Sequence, residues 1–171
     1  MYKTITAFLF FALMFSSQSG QAQDYKSAAG LRLGVPLSLS YKVFISENNA
    51  IEASVGTRRF GNGFGFSGTR WFNFNGAFLL HRDLEIDGID NLRYYFGPGV
   101  GAYIFTYNNG FGDGASETVF GVQAYGGVEY TFEDVPVSVS ADWVPTVLFN
   151  GFYSGFSAGY GALSVRYVIS R

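Results

Sequence analysis

The sequence predicts an all-β protein, an eight-stranded antiparallel up-and-down transmembrane β-barrel. Three observations carry that prediction. Apolar and polar residues alternate with period two along nearly the whole chain after Gln23. Charged residues make up 14% of the chain, against roughly a quarter in average globular usage, and several sit inside the alternating segments. Connections switch between short polar turns and longer Gly-rich loops, as a meander of strands requires.

The bulk numbers bound the answer. A chain of 171 residues suits one domain. A hydrophobic content of 48% and an aromatic content of 19% exclude a disordered chain. The 11 Lys and Arg against 13 Asp and Glu leave a net charge of −2, which speaks against a nucleic-acid partner. With no cysteine there is neither a disulfide framework nor a lipid-modified cysteine. No run of 18 apolar residues follows Gln23, so no transmembrane helix is expected there.

Residues 1–22 read as a cleaved secretory signal. Lys3 gives the positive start, Ile5–Phe15 the apolar run, and Gly20-Gln21-Ala22 a small-residue cleavage site. The apolar run is too short to span a bilayer core of about 30 Å. The barrel domain is then 23–171, with the mature chain starting near Gln23.

The strands follow in order. Leu31, Leu33 and Val35 alternate with Gly30, Arg32 and Gly34. Leu37, Leu39, Tyr41, Val43 and Ile45 alternate with Ser38, Ser40, Lys42 and Phe44. Pro36 makes residues 28–45 either one long strand or a hairpin, and only the hairpin gives an even count. Ile51, Ala53 and Val55 oppose Glu52, Ser54 and Gly56; Phe72, Phe74, Phe78 and Leu80 oppose Asn73, Asn75, Ala77 and His81. The same alternation recurs over Leu92–Ile104, Val122–Phe132, Val137–Val147 and Leu163–Ile169. Ser46–Ala50, Asp83–Asn91 and Glu133–Pro136 are turns at one end. Gly61–Arg70, Asn108–Glu117 and Asn150–Ser157 are loops at the other, with Val35-Pro36 the first and shortest.

The stretch GGVEYTFEDVPVSVSADW, Gly126–Trp143, shows where the two faces go. If Phe132 faces Val137 across the turn, Tyr130 faces Val139 and Glu129 faces Ser140, because cross-strand partners share a face. The apolar set carries large side chains on every strand, while the polar set carries Gly, Ser, Asn, Tyr and single charges. An apolar face turned outward everywhere needs lipid as its solvent. A sheet in lipid must also close, since each unpaired edge group costs several kcal/mol there.

Eight strands enclose a lumen that side chains just fill. The inward charges are Arg32, Lys42, Glu52, Arg58, Arg93, Glu129, Asp142 and Arg166. Inward Gly97, Gly99, Gly101 and Gly127 beside Tyr95, Tyr103 and Tyr125 suit small-against-large packing that plugs it. Tyr41, Tyr94, Tyr130, Trp143 and Tyr167 lie on the outward register, as interfacial girdle residues or as plain lipid-facing bulk.

GLRLGVPLSLSYKVF, NAIEASVG, YYFGPGVGAY, GGVEYTFEDVPVSVSADWVP and GALSVRYVIS resemble the strands of the small OmpA/OmpX-type outer-membrane β-barrel proteins, over residues 25–171. The resemblance implies an outer-membrane location, insertion by the barrel assembly machinery, and contact with outer-membrane lipid and lipopolysaccharide. It specifies architecture well and activity poorly. Such barrels usually end on an aromatic residue, whereas this sequence ends Val168-Ile169-Ser170-Arg171.

Four motifs invite chemistry and lack its context. GFGFSG, Gly63–Gly68, matches the dinucleotide fingerprint but precedes a strand instead of a helix. HRDL, His81–Leu84, lacks the metal-binding Asn of a kinase loop, whose place is held by Gly88. Asn108–Glu117 holds oxygen ligands without calcium-loop spacing. His81 is the single histidine and sits at the turn end, away from outer-leaflet lipid, as a structural residue capping the lumen. No cofactor, metal or catalytic residue is therefore expected.

The favoured function is non-enzymatic: a barrel that stabilises the envelope or binds a surface ligand through its loops. Those loops carry Phe64, Phe66, Phe111, Phe152, Tyr153 and Phe156, which either contact a ligand or pack on one another at the rim. The alternatives are a narrow pore biased toward anions by Arg32, Arg58, Arg93 and Arg166, and a lipid-modifying enzyme using His81 with Ser138, Ser140 or Ser164.

Overall fold

The computed structural model describes residues 25–60, 69–86, 89–108, 114–150 and 154–171, and these contain strands but no helix. Residues 1–22, read above as a signal segment, lie outside them. The strands are β1 (Ser27–Val35), β2 (Leu37–Ser46), β3 (Asn49–Phe60), β4 (Thr69–Asp83), β5 (Leu92–Asn108), β6 (Gly114–Thr131), β7 (Val137–Trp143), β8 (Thr146–Phe149), β9 (Gly155–Ser157) and β10 (Gly161–Ser170). All pairings are antiparallel, and the β5–β6 pairing closes the sheet on itself.

Ten named segments make eight staves. β7 and β8 are one strand in a single register against β6, with Trp143 opposite Gly126 and Thr146 opposite Gln123. The gap between them is Val144-Pro145, where proline has no N–H to give the ladder. Pro145 still accepts there, from the Ala124 N–H at 3.0 Å. β9 and β10 share the eighth stave. Residues 28–45 form the hairpin, with Leu31 opposite Leu39, and its Val35-Pro36 bond is cis.

The stagger follows from the same registers. Leu31 leads through Leu39, Val55, Phe74, Ala102 and Phe120 to Phe149. In the other direction it leads through Val165 to Val139. The two arrivals on the β7–β8 stave are ten residues apart. A stagger of that kind tilts strands by roughly 35–45° from the barrel axis.

The predicted parity holds around the wall. Leu31, Leu39, Phe74, Val100, Val128, Val165 and Tyr167 are exposed on the outside, while Arg32, Lys42, Glu52, Glu129 and Arg166 are buried inside. That is the reverse of a water-soluble sandwich.

At the loop end the pattern inverts, which differs from the sequence expectation of one rule throughout. Arg70, Thr106 and Ser116 form an outward polar row across β4, β5 and β6. The residues facing inward at that end include Trp71, Phe105, Val119 and Leu148, all buried, beside the half-buried Arg58 and Glu117. Strands β5 and β6 run 17 and 18 residues, well beyond the 9–11 that a tilted strand needs to cross a bilayer. The loops predicted at Asn108–Glu117 and Asn150–Ser157 are correspondingly shorter, because β6 begins at Gly114 and β9 occupies Gly155–Ser157. Above the lipid-facing band the outer wall therefore turns polar, while aromatic and aliphatic side chains pack inside it.

Candidate functional site

The lumen is where polar chemistry collects. Strands β1, β2, β3, β6, β7 and β10 each place one charged side chain at mid-depth, because each carries it in the inward register. Glu52 is the hub. Its Oε1 accepts from Arg32 Nη1 and from Arg166 Nη2, both at 2.8 Å, and its Oε2 lies 3.6 Å from Lys42 Nζ. Arg32 Nη2 also donates to Asp142 Oδ1 at 2.8 Å. Arg166 fills its other donors with Ser40 Oγ at 3.1 Å and Ser140 Oγ at 2.8 Å.

A second hub stands nearer the turn end. Glu129 accepts from Lys42 Nζ at 2.5 Å and from the Tyr25 hydroxyl. His81 Nε2 lies 3.7 Å from the same carboxylate, and the ring is fully buried between Phe44 and Tyr95. Lys42 sits 4.5 Å from the centroid of the Tyr95 ring, and the Tyr95 hydroxyl donates to Asp142 Oδ2 at 2.9 Å. Arg93 closes the turn end. It contacts Asp83 at 3.0 Å, donates to Asn48 Oδ1 at 2.8 Å, and lies over the Phe44 ring.

Burial gives these contacts their weight. Removing a charge from water costs several kcal/mol, so each must find partners inside. Asp142, Arg32, Glu52, Lys42 and Glu129 meet that demand as one continuous chain. Above the chain, Gln123 Nε2 donates to the Tyr103 hydroxyl at 2.7 Å and to Asn75 Oδ1 at 3.2 Å. Higher still, Trp71 packs on Phe105 with centroids 5.1 Å apart and on Tyr160 at 5.8 Å. The lumen is thus layered, with aromatic rings at both ends and charge between.

Of the eight sequence-predicted lumen charges, seven enter these contacts. Arg58 faces inward near the loop end, half-buried and away from the two hubs. The predicted Tyr95, Tyr103 and Tyr125 are buried beside inward glycines; a Cβ on Gly127 would stand 2.7 Å from Tyr95. Sequence reasoning missed Tyr25, which precedes the first strand and carries no alternation signal. It put Gln123 in the polar register without marking it as a layer, and it missed Trp71, Phe105 and Tyr160, which lie just beyond the alternating segments. Of the loop aromatics, Phe156 lies on β9 and is 70% exposed. Phe64, Phe66, Phe111, Phe152 and Tyr153 lie outside the described residues, as does the GFGFSG motif up to Gly68.

For hydrolytic chemistry His81 needs a serine in reach. Ser140 accepts from Arg166, and the side-chain oxygens of Ser138 and Ser164 have no hydrogen-bond partner. Among the described residues no group of three His, Cys, Asp or Glu side chains could hold a metal.

No protein-family model and no curated protein matches this sequence. Solved structures do. The crystal structure of Neisserial surface protein A overlays with a TM-score of 0.62 at 12% identity, covering 84% of this chain and 93% of that one. Ail, the attachment invasion locus protein of Yersinia pestis, overlays with a TM-score of 0.46 at 13% identity, covering 82% and 92%. Together with the closed eight-stave meander and its outward apolar band, the first overlay establishes that this chain has the fold of the small OmpA/OmpX-type outer-membrane β-barrels.

Proposed function

We propose that the protein is a non-enzymatic barrel of the outer membrane, exported by residues 1–22, with a lumen plugged by its own side chains. It would stabilise the envelope or present its loops to a surface partner. The observation that carries this reading is the chain of buried ion pairs centred on Glu52. An ion crossing the lumen would have to break several of them and pass the Trp71–Tyr160 layer. The same network argues against an anion-biased pore, because Arg32 and Arg166 already hold carboxylates. The lipid-enzyme reading loses support because, among the described residues, His81 has no hydrogen bond to a serine.

Contacts with outer-membrane lipid, lipopolysaccharide and the barrel assembly machinery belong to this reading. The test is twofold. Outer-membrane fractions should contain a species whose gel mobility changes on boiling. Planar-bilayer recordings of the purified barrel should show no steady conductance, and a large steady current would overturn the plugged lumen.

A further inference from the structure

At the turn end, the β4–β5 connection is fastened to the β6–β7 turn. Asn91 Nδ2 donates to Glu133 Oε1 at 2.7 Å, and the Thr131 N–H donates to the Asn91 carbonyl at 3.2 Å. Asn91 makes both contacts at a φ of 62°, a left-handed conformation that asparagine adopts more readily than most residues. On its own side, the Ile89 N–H donates to the Ile86 carbonyl at 3.0 Å and the Leu84 N–H to the Leu92 carbonyl at 2.8 Å. Across from it, Arg171 Nη2 donates to the Phe132 and Glu133 carbonyls, both at 3.1 Å, and the Val137 N–H donates to the Val135 carbonyl at 2.8 Å. The two connections are thus held in one relation to each other.

Their exposed side chains are of two kinds. Ile86, Ile89 and Val135 are 44%, 44% and 46% exposed. Turns that face water favour Gly, Pro, Asn, Asp and Ser, so three branched aliphatic residues here need a reason. Beside them stand four exposed carboxylates, Glu85, Asp90, Glu133 and Asp134. The exposed cations of this end, among the described residues, are Lys26, Arg82 and Arg171. Arg171 spends its guanidinium on backbone carbonyls, and Arg82 Nη1 donates to the His81 carbonyl at 3.0 Å.

Lipid is a poor cover for these aliphatic residues. Ile89 is followed by Asp90 and Val135 is preceded by Asp134, so inserting either would draw a carboxylate out of water. A polypeptide that brings cations with its apolar residues meets both demands.

We propose that this surface docks a cationic amphipathic segment of another protein, one with Lys or Arg beside aliphatic residues, on the turn side of the membrane. The inference goes beyond the plugged-barrel reading and takes from it only that the barrel is membrane-embedded. Ile86, Ile89 and Val135 supply apolar contact, while the carboxylates select the charge of the partner and steer its approach. Exposed ion pairs are individually weak, so affinity needs both kinds of contact together.

The probe is a synthetic peptide of alternating leucine and lysine, titrated into the full-length barrel in phosphatidylcholine nanodiscs. Methyl resonances of Ile86, Ile89 and Val135 should shift and saturate, and added salt should weaken the binding. A leucine–glutamate peptide, which reverses the charge, and a serine–lysine peptide, which removes the apolar face, should leave the methyls in place. Asp90→Asn/Glu133→Gln/Asp134→Asn, in which Gln still offers Asn91 a carbonyl, should weaken binding roughly tenfold, as three exposed ion pairs together would give. Ile89→Ser/Val135→Ser should abolish saturation while keeping heat-modifiable gel mobility; Val135→Ser alone serves if the double variant does not fold. Absence of a saturable shift with the leucine–lysine peptide, an equal shift with either control, or unchanged binding in a folded variant would overturn the site. So would a headgroup-attached spin label that broadens the Ile89 and Val135 methyls of the free barrel as strongly as the lipid-facing Val165 methyls, because lipid would then be the cover. A wild-type protein lacking heat-modifiable mobility would instead remove the membrane reading itself.

Discussion

Glu52 on β3 and Arg166 on β10 meet across the lumen at 2.8 Å, although 114 residues separate them in sequence. Glu52→Ala would leave Arg166, Arg32 and Lys42 short of their shared carboxylate. Breaking a buried pair from one side costs about 3–5 kcal/mol. The expected result is a lower midpoint of urea unfolding in lipid vesicles, whereas Glu47→Ala, at an exposed turn position, should stay within about 0.5 kcal/mol of wild type. Equal midpoints would show that the hub is not holding the barrel.

The inverted pattern at the loop end can be tested by placing the same charge at two heights. Val165→Arg puts a guanidinium on the lipid-facing band, where the cost is about 2–4 kcal/mol near the midplane. Thr106→Arg puts it on the polar outer row, where about 0–1 kcal/mol is expected. Similar losses at both positions would mean that the wall is lipid-facing to its top.

The two tryptophans report opposite environments. Trp143 is 57% exposed on the outside, and its Nε1 donates to the Ala158 carbonyl at 2.7 Å; Trp71 is buried inside the upper barrel. Brominated acyl chains should therefore quench the Trp71→Phe variant, which keeps Trp143, and spare Trp143→Phe. Quenching of both would contradict the inward placement of Trp71.

Two glycines should respond oppositely to a methyl group. A Cβ on Gly97 would stand 1.9 Å from the Phe78 carbonyl oxygen on the neighbouring strand, and one on Gly76 would meet nothing within 4 Å. Gly97→Ala should cost about 1–3 kcal/mol through forced backbone displacement. Gly76→Ala should be neutral or stabilising by up to about 1 kcal/mol, since it reduces the freedom of the unfolded chain. Reversible unfolding in vesicles measures both.

The sequence by itself determined the period, the parity and the closure. Leu31 against Arg32, or Val128 against Glu129, could be sorted to opposite faces from one strand alone, because a strand alternates sides at every residue. Lipid outside and a closed sheet then followed from the size and number of the apolar residues on one face. Tertiary structure decided the rest. Which carboxylate serves which cation depends on the stagger that carries Leu31 to Val139 one way and Phe149 the other, and no local pattern encodes that offset. The inward packing of Trp71, Phe105 and Leu148 depends on how far β5 and β6 rise above the apolar band. Alternation is a property of each strand, whereas depth and stagger arise between strands and exist only once the barrel has closed.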